Sequence, residues 1–526
     1  MGMIIPILLA AQAGGGVEVQ LEIYDPQSLA LPSFGLNLDI AGDVNADGFA
    51  DIIVGSRQAA AGGLTYAGAA YVYSGVNGAL LFQIDGNGQQ YFMGDSVAGA
   101  GDVNDDGFDD FIVGEPGNDV NRGAAYVYSG ENASLLYQLS GVAAQDRVGV
   151  NVFSAGDVNS DGYDDFIIGQ DSGELKIYSG FNGLSAYSLF GDKYSGVSSI
   201  DDINGDGHSD ILVGERSYAS TGRVIAYSGI DGTLLYSVPG VLVDSRFGES
   251  VDSLGGDIDG DGIHDWIVGA PQTSAGGGNA TGLAYLFSGA TGNFIESFSG
   301  EADGDRFGGS VSGVGDVDGM GVLDFAVGAE GAEKGYIFSG ETSLRLYDFP
   351  DATNPNFYGF GQAIAGGGDV NGDGSPDVLF HGFSASGEGV FSVGFERYIT
   401  CDITSVSTVT GGNVNIALDF PDSAAFSEYK VLMSLAGTGP SFYGVNIPLT
   451  LDSYVVDTFY ENYPFSAYTN LHGTLDATGD TICSATFPSG IPPAAIGITL
   501  YLAAVANPVG QLPDYSSVAW PIMLTL

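Results

Sequence analysis

The sequence is poor in basic residues and tryptophan. Its 526 residues include 13 Lys and Arg against 65 Asp and Glu, which gives a formal net charge of −52. Because phosphate recognition depends on Lys and Arg, this balance argues against a nucleic-acid partner. Hydrophobic residues still make up 44% of the chain, with 28 Tyr and 30 Phe. The composition is therefore that of a folded chain and not of a disordered acidic one.

Cysteine is nearly absent, since Cys401 and Cys483 are the only two. A disulfide between them is expected if the protein is exported, and free buried thiols are the alternative, so the sequence leaves both open. Long apolar runs are also missing, so we expect no transmembrane helix and no membrane insertion.

The N-terminus has the features of a secretion signal. An apolar run over residues 4–11 ends in Ala11-Gln-Ala13, which fits a small-residue cleavage site, although the usual basic segment before the run is missing. We predict a signal peptide over residues 1–16. The protein is accordingly expected to be secreted, and so extracellular or at the cell surface.

An acidic nonapeptide occurs seven times. Positions 1, 3, 5 and 9 carry Asp or Asn in most copies, and position 6 carries Gly. Oxygen donors on alternate residues, with a sharp turn at glycine, suit a hard cation such as Ca²⁺, which takes six to eight oxygens, and position 7 would add a backbone carbonyl. We number the copies loops 1 to 7; they begin at Asp43, Asp102, Asp157, Asp202, Asp257, Asp316 and Asp369.

Two alternatives to a metal site are considered. Asp-Gly and Asn-Gly are common hairpin turns, but a turn does not require a carboxylate at positions 1 and 9 in all seven copies. An EF-hand would need flanking helices and a Glu at position 12, where loop 2 has Val113. The predicted metal residues are Asp43, Asn45, Asp47, Phe49, Asp51, Asp102, Asn104, Asp106, Phe108, Asp110, Asp157, Asn159, Asp161, Tyr163, Asp165, Asp202, Asn204, Asp206, His208, Asp210, Asp257, Asp259, Asp261, Ile263, Asp265, Asp316, Asp318, Asp324, Asp369, Asn371, Asp373, Ser375 and Asp377.

Loop 6 departs from the pattern. Met320 stands at position 5, where a hard oxygen ligand is expected. We therefore predict about six Ca²⁺ sites and a further site at loop 6 that is weak or empty.

The loops recur every 45 to 59 residues, a spacing typical of propellers, solenoids or arrays. Each period contains short aromatic and β-branched runs separated by glycine-rich turns, which predicts strands. Four strands in each period describe a β-propeller blade. The seventh period lacks a clear fourth strand, and residues 21–26 match residues 344–349 of the sixth, so we predict that residues 17–25 complete the last blade.

Short motifs around the loops carry a family resemblance. Phe-Gly pairs such as Phe247-Gly248 and the element Val268-Gly-Ala-Pro271 accompany the acidic loops. This combination resembles the FG-GAP repeats of integrin alpha subunits and of secreted bacterial proteins. The resemblance implies a seven-bladed β-propeller over residues 17–398, with the calcium loop between the first two strands of each blade. It also implies that ligands bind on the face opposite the loops.

Residues 399–526 contain no acidic loop. Alternating apolar runs separated by turn residues predict seven or eight strands in a β-sandwich. The fold class expected for the whole chain is therefore all-β, with a seven-bladed propeller followed by a sandwich.

No catalytic motif is present: the chain has no GxSxG, HExxH or phosphate-binding glycine loop. The first hypothesis is a non-catalytic adhesion or recognition module for an extracellular protein or glycan, using loops such as 56–67 and 271–281. A second hypothesis is a structural subunit that self-assembles into an extracellular layer or fibre. A third is an extracellular polysaccharide hydrolase.

Overall fold

The computed structural model describes residues 17–27, 33–191, 194–272, 281–318, 321–341, 343, 345–350 and 357–395, and separate strands between 399 and 525. The predicted signal peptide, residues 1–16, lies outside this described part. Seven four-stranded antiparallel sheets form seven blades, which confirms the predicted β-propeller.

The strands of each blade follow in chain order. Blade 1 contains Phe34–Gly42, Asp51–Ser56, Ala69–Tyr73 and Leu80–Asp85, and blade 2 contains Val97–Gly101, Asp110–Glu115, Ala124–Tyr128 and Leu135–Ser140. Blade 3 contains Asn151–Gly156, Asp165–Gln170, Glu174–Tyr178 and Ser185–Phe190, and blade 4 contains Gly196–Ile200, Asp210–Glu215, Arg223–Tyr227 and Leu234–Pro239. Blade 5 contains Val251–Ser253, Trp266–Ala270, Leu283–Phe287 and Phe294–Ser299, and blade 6 contains Phe307–Gly315, Asp324–Ala329, Lys334–Phe338 and Arg345–Phe349. Blade 7 contains Ile364–Gly368, Asp377–Ser384 and Gly387–Phe395.

The N-terminal strand, Val17–Tyr24, completes blade 7. It pairs antiparallel with Gly387–Phe395, and Ile23 lies opposite Val390 in this register. Ile23 is buried and packs in one apolar cluster with Phe34 and Ile52 of blade 1. The first and last parts of the propeller sequence are therefore joined through one blade and one core cluster.

The burial of each strand follows its place in the blade. The second strands are almost wholly buried, because neighbouring blades cover both faces, and Asp51–Ser56 and Asp110–Glu115 are buried at every residue. These strands consequently read as continuous apolar runs. The fourth strands, such as Leu80–Asp85, alternate between exposed and partly buried residues at the rim. Two short helical turns, Asn118–Asn121 and Tyr218–Ser220, lie between the second and third strands of blades 2 and 4.

The strands described beyond residue 398 pair into two sheets. One has the order Ile399–Cys401, Gly412–Asp419, Asp480–Phe487 and Tyr468–Thr469. The other has the order Ser405–Ser407, Trp520–Thr525, Thr499–Asn507, Glu428–Ser434 and His472–Thr474, and Tyr515–Ser516 pairs with Thr499–Asn507. The sandwich itself and the domain limits at 398 and 399 stay predictions; residues 396–398 lie outside the described part.

The register of the first of these sheets bears on the two cysteines. Cys401 pairs with Ile416 from one side, and Cys483 pairs with Ile416 from the other. Neighbouring strands lie about 4.8 Å apart, so the two cysteine Cα atoms are about 9 to 10 Å apart. A disulfide spans a Cα separation of at most about 7 Å. This register therefore favours free thiols over the bridge.

No helix in the described residues is both long enough and apolar enough to cross a membrane.

The first strands form an inner ring in which each contacts its neighbours, and the seventh contacts the first. Asp39 of blade 1 accepts hydrogen bonds from the N–H groups of Ile40 (2.9 Å) and of Gly99 in blade 2 (3.1 Å). Asp252 of blade 5 accepts equivalent bonds from Ser253 and from Gly313 in blade 6. Each carboxylate thus ties its blade to the next one.

Burial raises the pKa of Asp39 from 3.8 to about 7, and the charge of Asp252 adds to the shift. The folded protein therefore holds a proton that the unfolded chain releases above about pH 4. This contribution to stability is fully present below that pH and is lost as the pH rises through about 7.

Asp39→Asn is therefore expected to flatten the dependence of stability on pH. Between pH 5 and 8 the free energy of unfolding should fall more steeply with pH in the parent than in the variant. The two slopes should differ by up to about 1.4 kcal/mol per pH unit, which is the limit for the release of one proton. Urea unfolding at several pH values measures this slope. Asp85→Asn, at an exposed carboxylate on the rim, is the control and should keep the parent slope. Equal slopes for the parent and Asp39→Asn would contradict the prediction.

Candidate functional site

The seven acidic loops lie on one face of the propeller. Each connects the first and second strands of its blade; loop 1, for example, runs from the end of Phe34–Gly42 to the start of Asp51–Ser56. In an antiparallel blade the turn between the third and fourth strands lies on the same face. The turns between the second and third strands, and the links between blades, lie on the opposite face. We call these the loop face and the link face.

The carboxylate at position 1 organises each turn. In loop 1 the two oxygens of Asp43 accept the N–H groups of Asp47 (2.9 Å) and Gly48 (2.8 Å). The same pair of bonds recurs in loops 2 to 5, at positions 5 and 6. Glycine at position 6 is required because this residue has a positive φ, +93° at Gly48.

The carboxylate at position 5 faces two further donors. In loop 2 one oxygen of Asp106 accepts the N–H of Phe108 at 3.0 Å, and the other accepts the hydroxyl of Ser129 at 3.3 Å. Ser179, Ser228 and Ser288 donate in the same way in blades 3, 4 and 5. These serines follow the third strand, so they tie the loop to the neighbouring turn of its own blade.

The carboxylate at position 9 is the most enclosed group of each loop. All seven are at most 1% exposed. In loop 2 Asp110 accepts the N–H of Val103 at position 2 (3.1 Å) and the N–H of Gly130 after the third strand (2.9 Å). The glycine recurs at residues 75, 180, 229, 289 and 340. A Cβ added to Gly130 would come within 2.2 Å of the carbonyl oxygen of Asp109, so only glycine fits.

The position 9 carboxylates have raised pKa values. Burial is the first cause. Repulsion from the carboxylates at positions 5 and 1 adds to it in loop 2, and repulsion from the Asp at position 3 adds to it in loops 5 and 6. The pKa rises to about 7 for Asp51, Asp110, Asp165 and Asp377, and to about 6 for Asp210 and Asp265. Each loop is therefore a place where negative charge is unfavourable without a nearby cation.

The side chains at position 3 face position 9. In loop 5 the oxygens of Asp257, Asp259 and Asp265 all lie within 4.8 Å of one another. Loop 6 brings Asp316, Asp318 and Asp324 together in the same way. In loops 1, 3, 4 and 7 the Asn amide donates to the position 9 carboxylate instead, at 2.8 Å for Asn159 and Asp165. The donor set is all oxygen apart from these amides, which fits a hard cation.

The structure describes loop 6 only in part. Met320 lies outside the described residues, so its effect on the site stays a prediction. The position 1 contact is retained, because Gly321 donates to Asp316 at 3.0 Å. Asp318 and Asp324 are both buried. The three remaining carboxylates are therefore held as in loop 5.

A Ser-Gly pair after the third strand belongs to the site, although it is not among the predicted metal residues. The pair occurs in blades 1 to 6, and its glycine donates to the position 9 carboxylate in each of them. In three of these blades the carbonyl of the same glycine accepts the hydroxyl of a tyrosine from the preceding blade, as Gly180 does from Tyr137 at 2.6 Å. The recurrence of Tyr-Ser-Gly in the repeats was the signal that could have identified it.

The histidines have structural contacts. His208, in loop 4, lies 3.1 Å from the Ser160 hydroxyl of loop 3. His264, in loop 5, pairs with Asp201 beside loop 4. His381 is buried, and its Nε2 lies 3.2 Å from Glu388.

The link face carries the basic residues of the connecting segments. Arg57, Arg122, Arg147, Arg216, Arg246 and Arg306 all lie in segments on this face. The described connecting segments of the loop face contain no Lys or Arg. Exposed apolar side chains occur on both faces, for example Val142, 87% exposed, on the link face and Leu184, 67% exposed, on the loop face. The two faces therefore differ in the placement of their basic residues.

A pocket of about 190 Å³ opens on the link face over blade 3. The segment between the second and third strands of this blade is only residues 171–173, whereas blades 2 and 4 have residues 116–123 and 216–222 there. Arg216 is held by Glu249 at 2.5 Å. The lining residues are Val150, Asn151, Gly169, Gln170, Asp171, Leu175, Tyr194 and Arg216.

Comparison with known proteins agrees with the repeat architecture. The FG-GAP repeat family profile matches residues 34–73 and 93–128, which lie in blades 1 and 2. The chain is 30% identical to integrin alpha-5 of Xenopus laevis over 281 residues, 50% of this chain and 23% of that protein. It is 30% identical to integrin alpha-V of Gallus gallus over 263 residues, 48% of this chain and 22% of that protein. The chain thus spans about a quarter of the length of these relatives.

The fold and the loops define a seven-bladed β-propeller, and two of its blades match the FG-GAP repeat profile. Its relatives are integrin alpha subunits, to which it is similar over about half of its own length.

Asp110→Ala is expected to destabilise the fold even without metal. The change leaves the buried N–H groups of Val103 and Gly130 without their acceptor, which costs about 2 kcal/mol or more. Urea unfolding in EGTA measures the loss. The control is Glu131→Ala, which removes an exposed carboxylate of the same blade and should cost at most about 0.5 kcal/mol. Similar losses for both variants would show that the position 9 carboxylate is not a structural clamp.

Proposed function

We propose that this protein is a calcium-stabilised recognition module that works outside the cell, without catalysis. The loop face would hold the metal ions, and the link face would bind an extracellular protein or glycan. The observation that carries the proposal is the division between the two faces. Acidic loops with oxygen donors occupy one face, while arginines and a pocket occupy the other.

The donor chemistry of the loops supports Ca²⁺. Carboxylate and backbone oxygens converge in short turns, and the position 9 carboxylates are buried with raised pKa values. A divalent cation would lower these pKa values and relieve the repulsion between positions 1, 5 and 9. When bound, the ion would supply structural charge neutralisation. We propose about six such sites, with the loop 6 site still expected to be weak or empty because of Met320.

Removal of calcium is expected to lower the melting temperature. Calcium would bind the folded loops and not the unfolded chain, so each occupied site adds to stability by mass action. If the affinities lie in the extracellular range, with dissociation constants of about 10⁻⁴ to 10⁻³ M, the melting temperature should rise as the Ca²⁺ concentration increases through the millimolar range. Differential scanning fluorimetry in EGTA and across a Ca²⁺ titration measures the effect, with Mg²⁺ at equal ionic strength as the control. A melting temperature that EGTA leaves unchanged would rule out the calcium role.

The pocket over blade 3 supports recognition on the link face. Its lining includes Asn151, Gln170, Asp171, Tyr194 and Arg216, which carry amide, carboxylate, phenol and guanidinium groups. Such planar polar side chains can bond the hydroxyl groups of a sugar or the polar groups of a protein. The resemblance to integrin alpha subunits points to the same face. Arginines such as Arg57 and Arg216 are paired with acidic neighbours, so the surface offers both signs of charge.

Arg216→Ala is expected to weaken ligand binding about ten-fold, a loss of about 1.4 kcal/mol. Glycan and protein arrays with calcium would first identify the ligand, and calorimetry would then compare the variants. The control is Arg306→Ala, which removes another arginine paired with a glutamate on the link face and should bind within about two-fold of the parent. Binding that depends on loop-face residues and not on Arg216 would contradict this assignment.

If the arrays give no ligand and light scattering shows calcium-dependent polymers, the function as a structural subunit would replace the proposed recognition module.

A further inference from the structure

We propose that loops 1, 2 and 3 bind their metal ions cooperatively, with Asp109 and Asp164 as positioning residues that couple neighbouring sites. The proposal rests on the calcium binding proposed above. Both residues occupy position 8 of their loops, which supplies no ligand in the expected coordination. Their side chains turn away from their own loop and contact the loop of the preceding blade.

The contact between loops 1 and 2 is reciprocal. The N–H of Asp43, at position 1 of loop 1, donates to the Asp109 carboxylate of loop 2 at 2.7 Å. The N–H of Asp109 in turn donates to the carbonyl of Asp43 at 3.1 Å. A position 1 ligand of one site is therefore fixed by a residue of the next site.

Loops 2 and 3 make the same side-chain contact. The N–H of Asp102 donates to the Asp164 carboxylate at 3.1 Å. The glycine before position 1 leaves room for the inserted carboxylate. A Cβ added to Gly101 would lie 2.0 Å from the carboxylate of Asp164, and a Cβ added to Gly42 would lie 2.2 Å from the carboxylate of Asp109. Both glycines have a positive φ. The space and the backbone conformation thus match an inserted carboxylate in both cases.

The order of residues along the chain explains how the sites would be coupled. In loop 2 the predicted ligands Phe108 and Asp110 stand on either side of Asp109. Fixing Asp109 against loop 1 therefore also fixes the backbone that supplies two ligands of site 2. A metal ion that orders one loop lowers the entropy lost when the next loop binds, which is positive coupling.

Position 8 differs around the rest of the ring. It is Ala50 in loop 1, Ser209 in loop 4, His264 in loop 5, Leu323 in loop 6 and Pro376 in loop 7. Alanine, leucine and proline have no side-chain acceptor for the preceding loop. Site 7 therefore lacks this side-chain link to loop 1 and supplies an internal control for the linked run of loops 1 to 3.

Site 3 can be observed separately from the others. Tyr163, at position 7 of loop 3, is the only tyrosine at this position in the seven loops. A tyrosine next to a bound Tb³⁺ ion, which takes oxygen ligands as Ca²⁺ does, transfers excitation energy to the ion. The Tyr163→Phe variant lacks this donor, so the difference in luminescence between the parent and the variant reports the occupancy of site 3. Titrating Tb³⁺ into the full chain therefore measures this one site.

The test compares the loss of site 2 with the loss of site 7. Asp106→Ala and Asp373→Ala each remove the position 5 carboxylate from a loop that keeps its other acidic positions. Asp106→Ala is expected to raise the Tb³⁺ concentration for half-saturation of site 3 about five-fold or more. Asp373→Ala should leave it within about two-fold, since site 7 has no link to loop 3.

A second comparison tests Asp164 itself. In an Asp164→Ala background, with the residue type that loop 1 has at position 8, Asp106→Ala should no longer shift the half-saturation concentration of site 3. Three results would each overturn the coupling: equal shifts from the loss of sites 2 and 7, no shift from the loss of site 2, or a shift that persists in Asp164→Ala. If Asp164→Ala abolishes the signal, the comparison of sites 2 and 7 in the parent decides. Absence of any Tyr163-dependent luminescence in the parent would overturn both the metal proposal and the coupling, whereas luminescence without the predicted shift overturns the coupling alone.

Discussion

The buried carboxylate at position 9 is the group on which the propeller depends most. It accepts one N–H from its own loop and one from the glycine after the third strand, so it holds two turns of the blade together. The carbonyl of that glycine receives a tyrosine hydroxyl from the preceding blade in three places. One side chain thus connects the acidic loop, the blade and the neighbouring blade.

This arrangement has an electrostatic cost that a cation can offset. The carboxylate is buried beside two others, and its raised pKa records how unfavourable its charge is there. A protein that only needed a turn could use a neutral residue at this position. The repeated placement of three carboxylates around each turn supports the metal ions proposed above, because hairpin geometry alone does not require it.

Other constraints act around the axis and the rim. On the inner ring, Asp39 and Asp252 each bond the backbone of the following blade. At the rim, Val17–Tyr24 supplies the outer strand of blade 7, so that blade has a paired fourth strand like the others. Because all loops between first and second strands lie on one face, the acidic side chains of these loops are confined to the loop face. The link face is thereby free of the acidic loops.

Much of the fold was readable from local pattern. A repeat that places an acidic turn between two apolar runs seven times leaves few architectures other than a propeller, because each unit buries its faces only against its neighbours. The contacts between blades were harder to predict from the sequence. Asp109 and Asp164 look like ordinary loop acids in the sequence, and nothing near them in the chain shows that they bond Asp43 and Asp102. The Ser-Gly pairs likewise look like plain turns.

The sequence by itself determined the number of blades, the positions of the acidic turns and the strand that must be shared between the chain ends. These follow from residue type at fixed spacing, which is local information. The tertiary structure decided which carboxylates are buried, which loops contact each other, where a pocket opens and how the cysteines are separated by Ile416. Such features depend on distances between residues far apart in the chain, and those distances are set only when the blades pack around the axis.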